Sequence, residues 1–301
     1  MTTPPVLAAI DVGTNAARLE VAEVRPKRKL QAILERRDAI RPGEGVFRTG
    51  KMAPAAQERL LATIREYAKI CRGQGARTRA VATSSLRDAS NGRQVRANVR
   101  EATGIDLEII SGSEEARLIC LAVLESVKPN DRSLVIDIGG GSTEVIRASG
   151  SNPKQLYSLL LGTVRLTERF DCGDRVEPER LRALREHAHS VVTEGLGLNG
   201  SKRLDGVYGS SGTIRSLVSF AGSKKAPTIR RDQLSKAVEE LAAMSIKKRL
   251  DYFEPRRADV IVAGAVILEA LAERLGFDEI RAVDRGLRDG VLMDLLRQPD
   301  G

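Results

Sequence analysis

The chain contains no tryptophan and few aromatic residues of any kind, five phenylalanines and four tyrosines in 301 residues. Modules that read RNA or single-stranded DNA stack bases on exposed rings, so a specific nucleic-acid partner is not expected. Cysteine is scarce: Cys71, Cys120 and Cys172 are odd in number, widely separated and in no CxxC pair, which argues against a disulfide framework or a zinc site. The two histidines, His187 and His189, lie two apart on a predicted helix, face different ways and lack the i,i+4 spacing of a helical metal pair. No apolar run approaches the ~20 residues needed to cross a bilayer. Residues 1–5 carry neither a basic n-region nor an apolar h-region. The expectation is a cytoplasmic protein with no membrane partner.

What the chain has in excess is positive charge. The formal net charge is +9, the pI is near 9.7, and arginine supplies 37 of the 49 basic residues. The guanidinium fork grips phosphate through two hydrogen bonds at once, so this surplus favours an anionic partner. Without aromatic platforms, polyanion binding is the better reading than base recognition. The basic clusters at residues 25–29, 247–249 and 256–257 read as solvated faces. The length is about two domains of ordinary size.

One phrase occurs twice, Ala9-Ile10-Asp11-Val12-Gly13-Thr14-Asn15 and Val135-Ile136-Asp137-Ile138-Gly139-Gly140-Gly141-Ser142-Thr143-Glu144. Each is a β-branched strand running into Asp-x-Gly. Such a turn places a carboxylate beside backbone N–H groups, where phosphate oxygens and a hydrated cation can both be held. A third turn, Gly209-Ser210-Ser211-Gly212-Thr213, opens a helix. Strands are predicted over 6–11, 16–24, 32–37, 77–83 and 104–110, with helices over 54–70, about 92–102 and about 112–127. A polar break at 128–131 places a boundary between domains 1–127 and 128–301, with the C-terminal helix available to pack back on the first domain. In the second domain, strands are predicted over 135–138, 144–148, 155–161, 206–209 and 279–283, and helices over 178–195, 212 onward, 232–244, 258–275 and 289–296. Alternating strands and helices make the chain α/β.

Two Asp-x-Gly turns followed by the third resemble the superfamily of actin, sugar kinases and heat-shock chaperones, which implies two actin-like (ribonuclease H-like) domains facing an interdomain cleft. The resemblance narrows at Ala82-Thr83-Ser84-Ser85-Leu86-Arg87-Asp88, Ser111-Gly112-Ser113-Glu114-Glu115-Ala116-Arg117, Leu161-Gly162-Thr163-Val164-Arg165-Leu166 and Gly286-Leu287-Arg288-Asp289-Gly290. These strings, in this order, resemble the exopolyphosphatase/guanosine pentaphosphate phosphohydrolase family, in its short two-domain form. Members cleave the terminal phosphoryl group of inorganic polyphosphate or of guanosine pentaphosphate with Mg²⁺ or Mn²⁺.

The resemblance implies that Glu115 orients or activates the attacking water and that Arg87 contacts substrate phosphate, roles consistent with phosphoryl transfer by positioning and charge neutralisation. Glu114 and Glu115 alike also suit a helix N-terminus. Asp11, Asp137 and Glu144 stand beside the turns as carboxylates suited to a hard cation. Backbone N–H groups of Gly13, Thr14, Asn15, Gly139, Gly140, Gly141, Ser142 and Thr143 are expected to cradle phosphate, together with those of Gly212 and Thr213. The family's first loop usually reads Gly-Ser-Asn-Ser, and Gly13-Thr14-Asn15-Ala16 loses one of those hydroxyls. The leading expectation is an exopolyphosphatase. The alternatives are a guanosine pentaphosphate phosphohydrolase, a sugar or acid kinase, and a non-catalytic phosphate or alarmone sensor. Members often pair, so a homodimer is compatible with the resemblance.

Overall fold

Strand β1 (Val6–Val12) is buried on both faces, because its alternate residues serve two different cores. Ala8, Ile10 and Val12 pack with Leu60, Ile64 and Tyr67 of the helix Pro54–Gly73, while Leu7 and Ala9 pack with Leu118, Val291 and Leu292. The coordinates are a computed structural model that describes residues 4–127, 132–197, 204–223 and 225–298.

The chain divides into two compact units, residues 1–122 with 287–301, and residues 123–286. The division falls inside the helix Gly112–Leu124. The boundary expected at 128–131 lies outside the described residues. In the first unit, β2 (Ala17–Arg25) and β3 (Lys29–Asp38) continue from β1 as antiparallel neighbours, and β4 (Arg77–Ala82) and β5 (Leu107–Ile109) join in parallel, giving the order β3-β2-β1-β4-β5. The C-terminal helix Leu287–Arg297 packs on β1 of this unit.

The second unit repeats the plan. β6 (Arg132–Ile138), β7 (Thr143–Ser149) and β8 (Asn152–Leu159) form an antiparallel meander, β9 (Gly206–Gly209) joins β6 in parallel, and β11 (Glu279–Ala282) joins β9 in parallel. β10 (Thr228–Arg230) is an added edge strand, so the order is β10-β11-β9-β6-β7-β8. The helix Ile261–Leu275 is apolar almost all round and buried, and it packs on the helices Pro178–Gly195, Arg231–Ala243, Thr163–Phe170 and Gly212–Ala221. A mixed five-strand order seen twice in one chain is the actin-like, ribonuclease H-like α/β fold. Among the described residues no helix is long and apolar enough to cross a membrane.

The helix Thr163–Phe170, strand β10 and the one-turn helices Val46–Thr49, Ser84–Arg87, Ile246–Arg249 and Pro255–Ala258 were not expected from the sequence. The run 247–249 does not form a solvated face throughout: Arg249 is wholly buried. All three cysteines are buried.

Candidate functional site

In the first unit the candidate residues gather where β1, β4 and β5 end, the carboxyl edge at which open α/β sheets hold ligands. The turn after β1 is closed by Gly13 N–H donating to the Ala16 carbonyl at 3.0 Å. The carbonyls of Thr14 and Asn15 are tied down by the N–H groups of Gly43 and Arg41 at 2.9 and 3.1 Å. Beside the turn, Thr14 Oγ1 and Ser84 Oγ share a buried hydrogen bond of 2.9 Å, and Ser85 Oγ lies 3.4 Å from the Gly13 carbonyl. Ser84 begins a one-turn helix, Ser84–Arg87, that delivers Arg87. Arg87 Nη1 donates to the Ile110 carbonyl at 3.0 Å and to Glu115 Oε2 at 3.1 Å. Glu115 is buried and rises from the first turn of Gly112–Leu124. Its neighbour Glu114 goes elsewhere, to Arg117 and Arg79.

The second unit builds its turn in the same way. Gly139 N–H donates to the Ser142 carbonyl at 2.9 Å. The start of the helix Thr163–Phe170 seals the far side, with Thr163 N–H on Gly139 O at 3.0 Å and Val164 N–H on Gly140 O at 2.8 Å. Arg165 Nε reaches Gly141 O at 2.7 Å. Carbonyls sealed on one side leave the opposite side of each turn to N–H groups, which is the polarity of an anion cradle. The N–H groups of Thr14, Gly140 and Gly141 donate to no backbone carbonyl of the described residues. Thr143 Oγ1 is buried and donates to Leu161 O at 2.7 Å, and Ser142 is buried beside it. At the third turn Ser211 caps the helix Gly212–Ala221 through Ile214 N–H, and Thr213 Oγ1 donates to Ile138 O while accepting from Arg257. Gly212 and Thr213 therefore present their N–H groups at a helix N-terminus.

The acidic residues differ between the halves. Asp11 stands across from Arg18 in the β1–β2 register, and Arg18 Nη1 binds its Oδ2 at 3.1 Å. The other oxygen, Oδ1, is buried with no hydrogen-bond partner among the described residues. Burial pushes the Asp11 carboxyl above the ordinary range, against the opposing pull of Arg18 and, further off, Arg288. Asp137 stands directly across from Glu144 in the β6–β7 register. Ser210 Oγ donates a short hydrogen bond to Asp137, and Ser158 Oγ donates to Glu144 Oε1 at 2.8 Å. Like charges opposite one another on antiparallel strands repel unless a cation joins them. The Asp137–Glu144 pair of the second unit and, separately, the bare oxygen of Asp11 in the first are oxygen donors of the kind that hard cations such as Mg²⁺ and Mn²⁺ take. No group of three His, Cys, Asp or Glu residues that could hold a metal occurs among the described residues.

Sequence reasoning missed Ser84, Ser158, Ser210 and Arg18 as site residues. Ser84 and Ser210 lie inside strings already singled out, Ala82–Asp88 and Gly209–Thr213, where the glycines and charges drew attention before the hydroxyls. Ser158 and Arg18 follow from strand register alone.

The chain matches the Ppx/GppA phosphatase family over residues 20–298 and belongs to that family. Exopolyphosphatase 2 of Mycobacterium tuberculosis is 32% identical over 313 residues, covering 96% of this chain and 98% of that protein. Exopolyphosphatase 1 of the same species is 30% identical over 299 residues, covering 95% and 87%. The crystal structure of the Aquifex aeolicus member of the Ppx/GppA family superposes with a TM-score of 0.80 at 29% identity, covering 99% of this chain and all of that one.

Gly162 is a test of the second turn. A Cβ at this position would lie 2.4 Å from Gly140 O and from the Cα and carbonyl carbon of Gly141, all backbone atoms that cannot swing aside. Gly162→Ala is expected to push the turn out of shape and weaken tripolyphosphate binding by about tenfold or more. Calorimetric titration checks it, and unchanged affinity would mean that this turn does not hold phosphate.

Proposed function

We propose that this protein is an exopolyphosphatase, removing the terminal phosphoryl group of inorganic polyphosphate by water attack and releasing phosphate. The observation that carries the reading is the Glu115–Arg87 pair, 3.1 Å apart beside the Thr14 turn. Full-length similarity to two exopolyphosphatases supports it.

In this reading Glu115 orients the attacking water and accepts its proton, while Arg87 offsets the charge that grows on the transferred oxygens. Arg87 is suited to this because the Ile110 carbonyl holds its guanidinium independently of Glu115. Of the N–H groups expected to bind phosphate, those of Gly13 and Gly139 are taken by the Ala16 and Ser142 carbonyls, so Thr14 in the first turn and Gly140 and Gly141 in the second are the donors of this reading, with Gly212 and Thr213 adding a helix N-terminus. Asp11 in the first unit and, separately, the facing Asp137 and Glu144 in the second are the carboxylates suited to Mg²⁺ or Mn²⁺. The cation, when bound, neutralises phosphate oxygens and so lowers the cost of bringing an anionic chain to a carboxylate. Arginine in place of aromatic rings favours polyphosphate over guanosine pentaphosphate, since a purine gains most from stacking.

Phosphate release from long-chain polyphosphate, short-chain polyphosphate and guanosine pentaphosphate, each with Mg²⁺ and with a chelator, tests this. Release from polyphosphate that the chelator abolishes is the expected result. Release from the nucleotide alone would move the function to alarmone turnover, and tight binding without release would make the protein a sensor.

A further inference from the structure

Glu114 and Glu115 are adjacent in sequence, so on a helix their side chains leave about 100° apart. Glu115 meets Arg87, whereas Glu114 enters a closed ring of four charges, which Glu108 joins from outside through Arg79 Nε at 3.0 Å. Arg117 Nε binds Glu114 Oε2 at 2.7 Å, and Arg117 Nη2 binds Asp294 Oδ1 at 2.8 Å. Asp294 Oδ2 accepts from Arg79 Nη1 at 2.6 Å, and Arg79 Nη2 returns to Glu114 Oε1 at 3.2 Å. The ring joins β4, the helix Gly112–Leu124 and the C-terminal helix Leu287–Arg297. Three of its side chains are partly withdrawn from water, Arg79 at 15%, Asp294 at 17% and Glu114 at 27% exposure, while Arg117 is more open at 41%. Exposed ion pairs contribute little singly, but a closed network in partial burial holds geometry.

A second contact fixes the same helix. Gly290 lies so close to Leu118 that a Cβ there would fall 2.0 Å from the Leu118 carbonyl oxygen, so the two helices touch backbone to backbone. The helix is thus held along its side at Leu118 and around its axis at Glu114 and Arg117. Arg87 is set separately by the Ile110 carbonyl. The rotation of the helix is then what decides whether Glu115 reaches Arg87.

We infer that Asp294, on the C-terminal helix, is a positioning residue for Glu115: by clamping Arg79 and Arg117 it sets the rotation of Gly112–Leu124 and so the aim of the carboxylate. The inference rests on the proposed role of Glu115. Asp294 itself touches neither Glu115 nor a phosphate turn, and it acts only through the ring. Donation from Arg117 and then from Arg79 holds the Glu114 carboxyl below its usual range, so the ring stays charged at neutral pH.

The test combines kinetics with a structure. Asp294→Asn keeps the side-chain volume and removes the charge. On long-chain polyphosphate with Mg²⁺ it is expected to lower kcat about tenfold with KM within about twofold, because a displaced catalytic group loses turnover before binding. In a Glu115→Ala background the same substitution is expected to change kcat less than about twofold, since the group it positions is gone. A crystal structure of Asp294→Asn is expected to show the Glu115–Arg87 pair opened beyond hydrogen-bond distance. An unchanged kcat, an equal loss in both backgrounds, or an intact Glu115–Arg87 pair would each overturn the inference. Should Asp294→Asn fail to fold, Glu114→Gln opens the same ring and carries the same expectations, and failure of both to fold would make the ring purely structural. An inactive parent protein would refute the exopolyphosphatase reading instead, and the crystal structure would still decide whether Asp294 aims Glu115.

Discussion

Glu115→Ala is expected to lose on the order of 10³-fold in polyphosphate turnover while binding the substrate as well as the parent protein or better. The loss follows from removing the carboxylate that Arg87 hydrogen-bonds, the group proposed to orient water and take its proton. Retained binding follows from the geometry around Arg87. Its guanidinium keeps the Ile110 carbonyl as an anchor after the carboxylate is gone, so it stays in place. Removing a negative charge from an anion site also raises the local potential, so the affinity for a polyanion is expected to rise, more at low salt than at high. Glu115→Gln refines the result. It keeps an acceptor for Arg87 but cannot take a proton, so full inactivity would assign proton acceptance and partial activity would assign orientation of water. Kinetics paired with calorimetric titration of tripolyphosphate would check both variants. Turnover equal to the parent would remove Glu115 from the mechanism.

Arg249→Met is expected to be the most damaging single change to stability, on the order of 4 kcal/mol. Arg249 is 0% exposed, and its five N–H donors are spent on five backbone carbonyls. Nε binds Leu241 O at 3.0 Å, Nη1 binds Gly173 O at 3.0 Å and Ala258 O at 3.1 Å, and Nη2 binds Asp174 O and Met244 O. Two of these acceptors, Leu241 and Met244, lie at the C-terminal end of the helix Arg231–Ala243, where unsatisfied carbonyls carry the negative end of the helix dipole. Methionine fills much of the volume but leaves five carbonyls without these donors, those of Leu241 and Ala258 buried and those of Gly173, Asp174 and Met244 partly so. For a protein of this size the loss corresponds to a fall in Tm on the order of 10 °C. Arg249→Lys keeps the charge with three donors in place of five and is expected to recover part of the loss. Thermal unfolding followed by circular dichroism is the check, and a Tm within about 2 °C of the parent would show that water replaces the guanidinium at little cost.

The two large effects arise from residues that differ in how visible they are in the sequence. Glu115 is marked by a string that resembles a known family, whereas Arg249 sits in a run of Lys247, Lys248 and Arg249 that reads as solvated. The separation arises because Lys247 and Lys248 remain on the surface while the next residue turns inward to carbonyls contributed from residues 173, 174 and 258.

By itself the sequence determined the strands other than β10, the turns and the resemblance to the family. Those features are written locally: β-branched runs set the strands, Asp-x-Gly sets each turn, and proline starts the helices at Pro54 and Pro178. Only the tertiary structure shows how the two adjacent glutamates divide, Glu115 to Arg87 and Glu114 to Arg79 and Arg117, with Asp294, about 180 positions away along the chain, closing the second set. It likewise created the helix Thr163–Phe170, whose β-branched start is a poor local helix signal but whose first N–H groups find the carbonyls of Gly139 and Gly140. Strand β10 exists only because β11, some fifty residues later, gives its three residues a partner. Periodicity and turn chemistry act between near neighbours and can be read in order, whereas buried charges, sealed turns and helix rotation are settled by partners that only folding brings within reach.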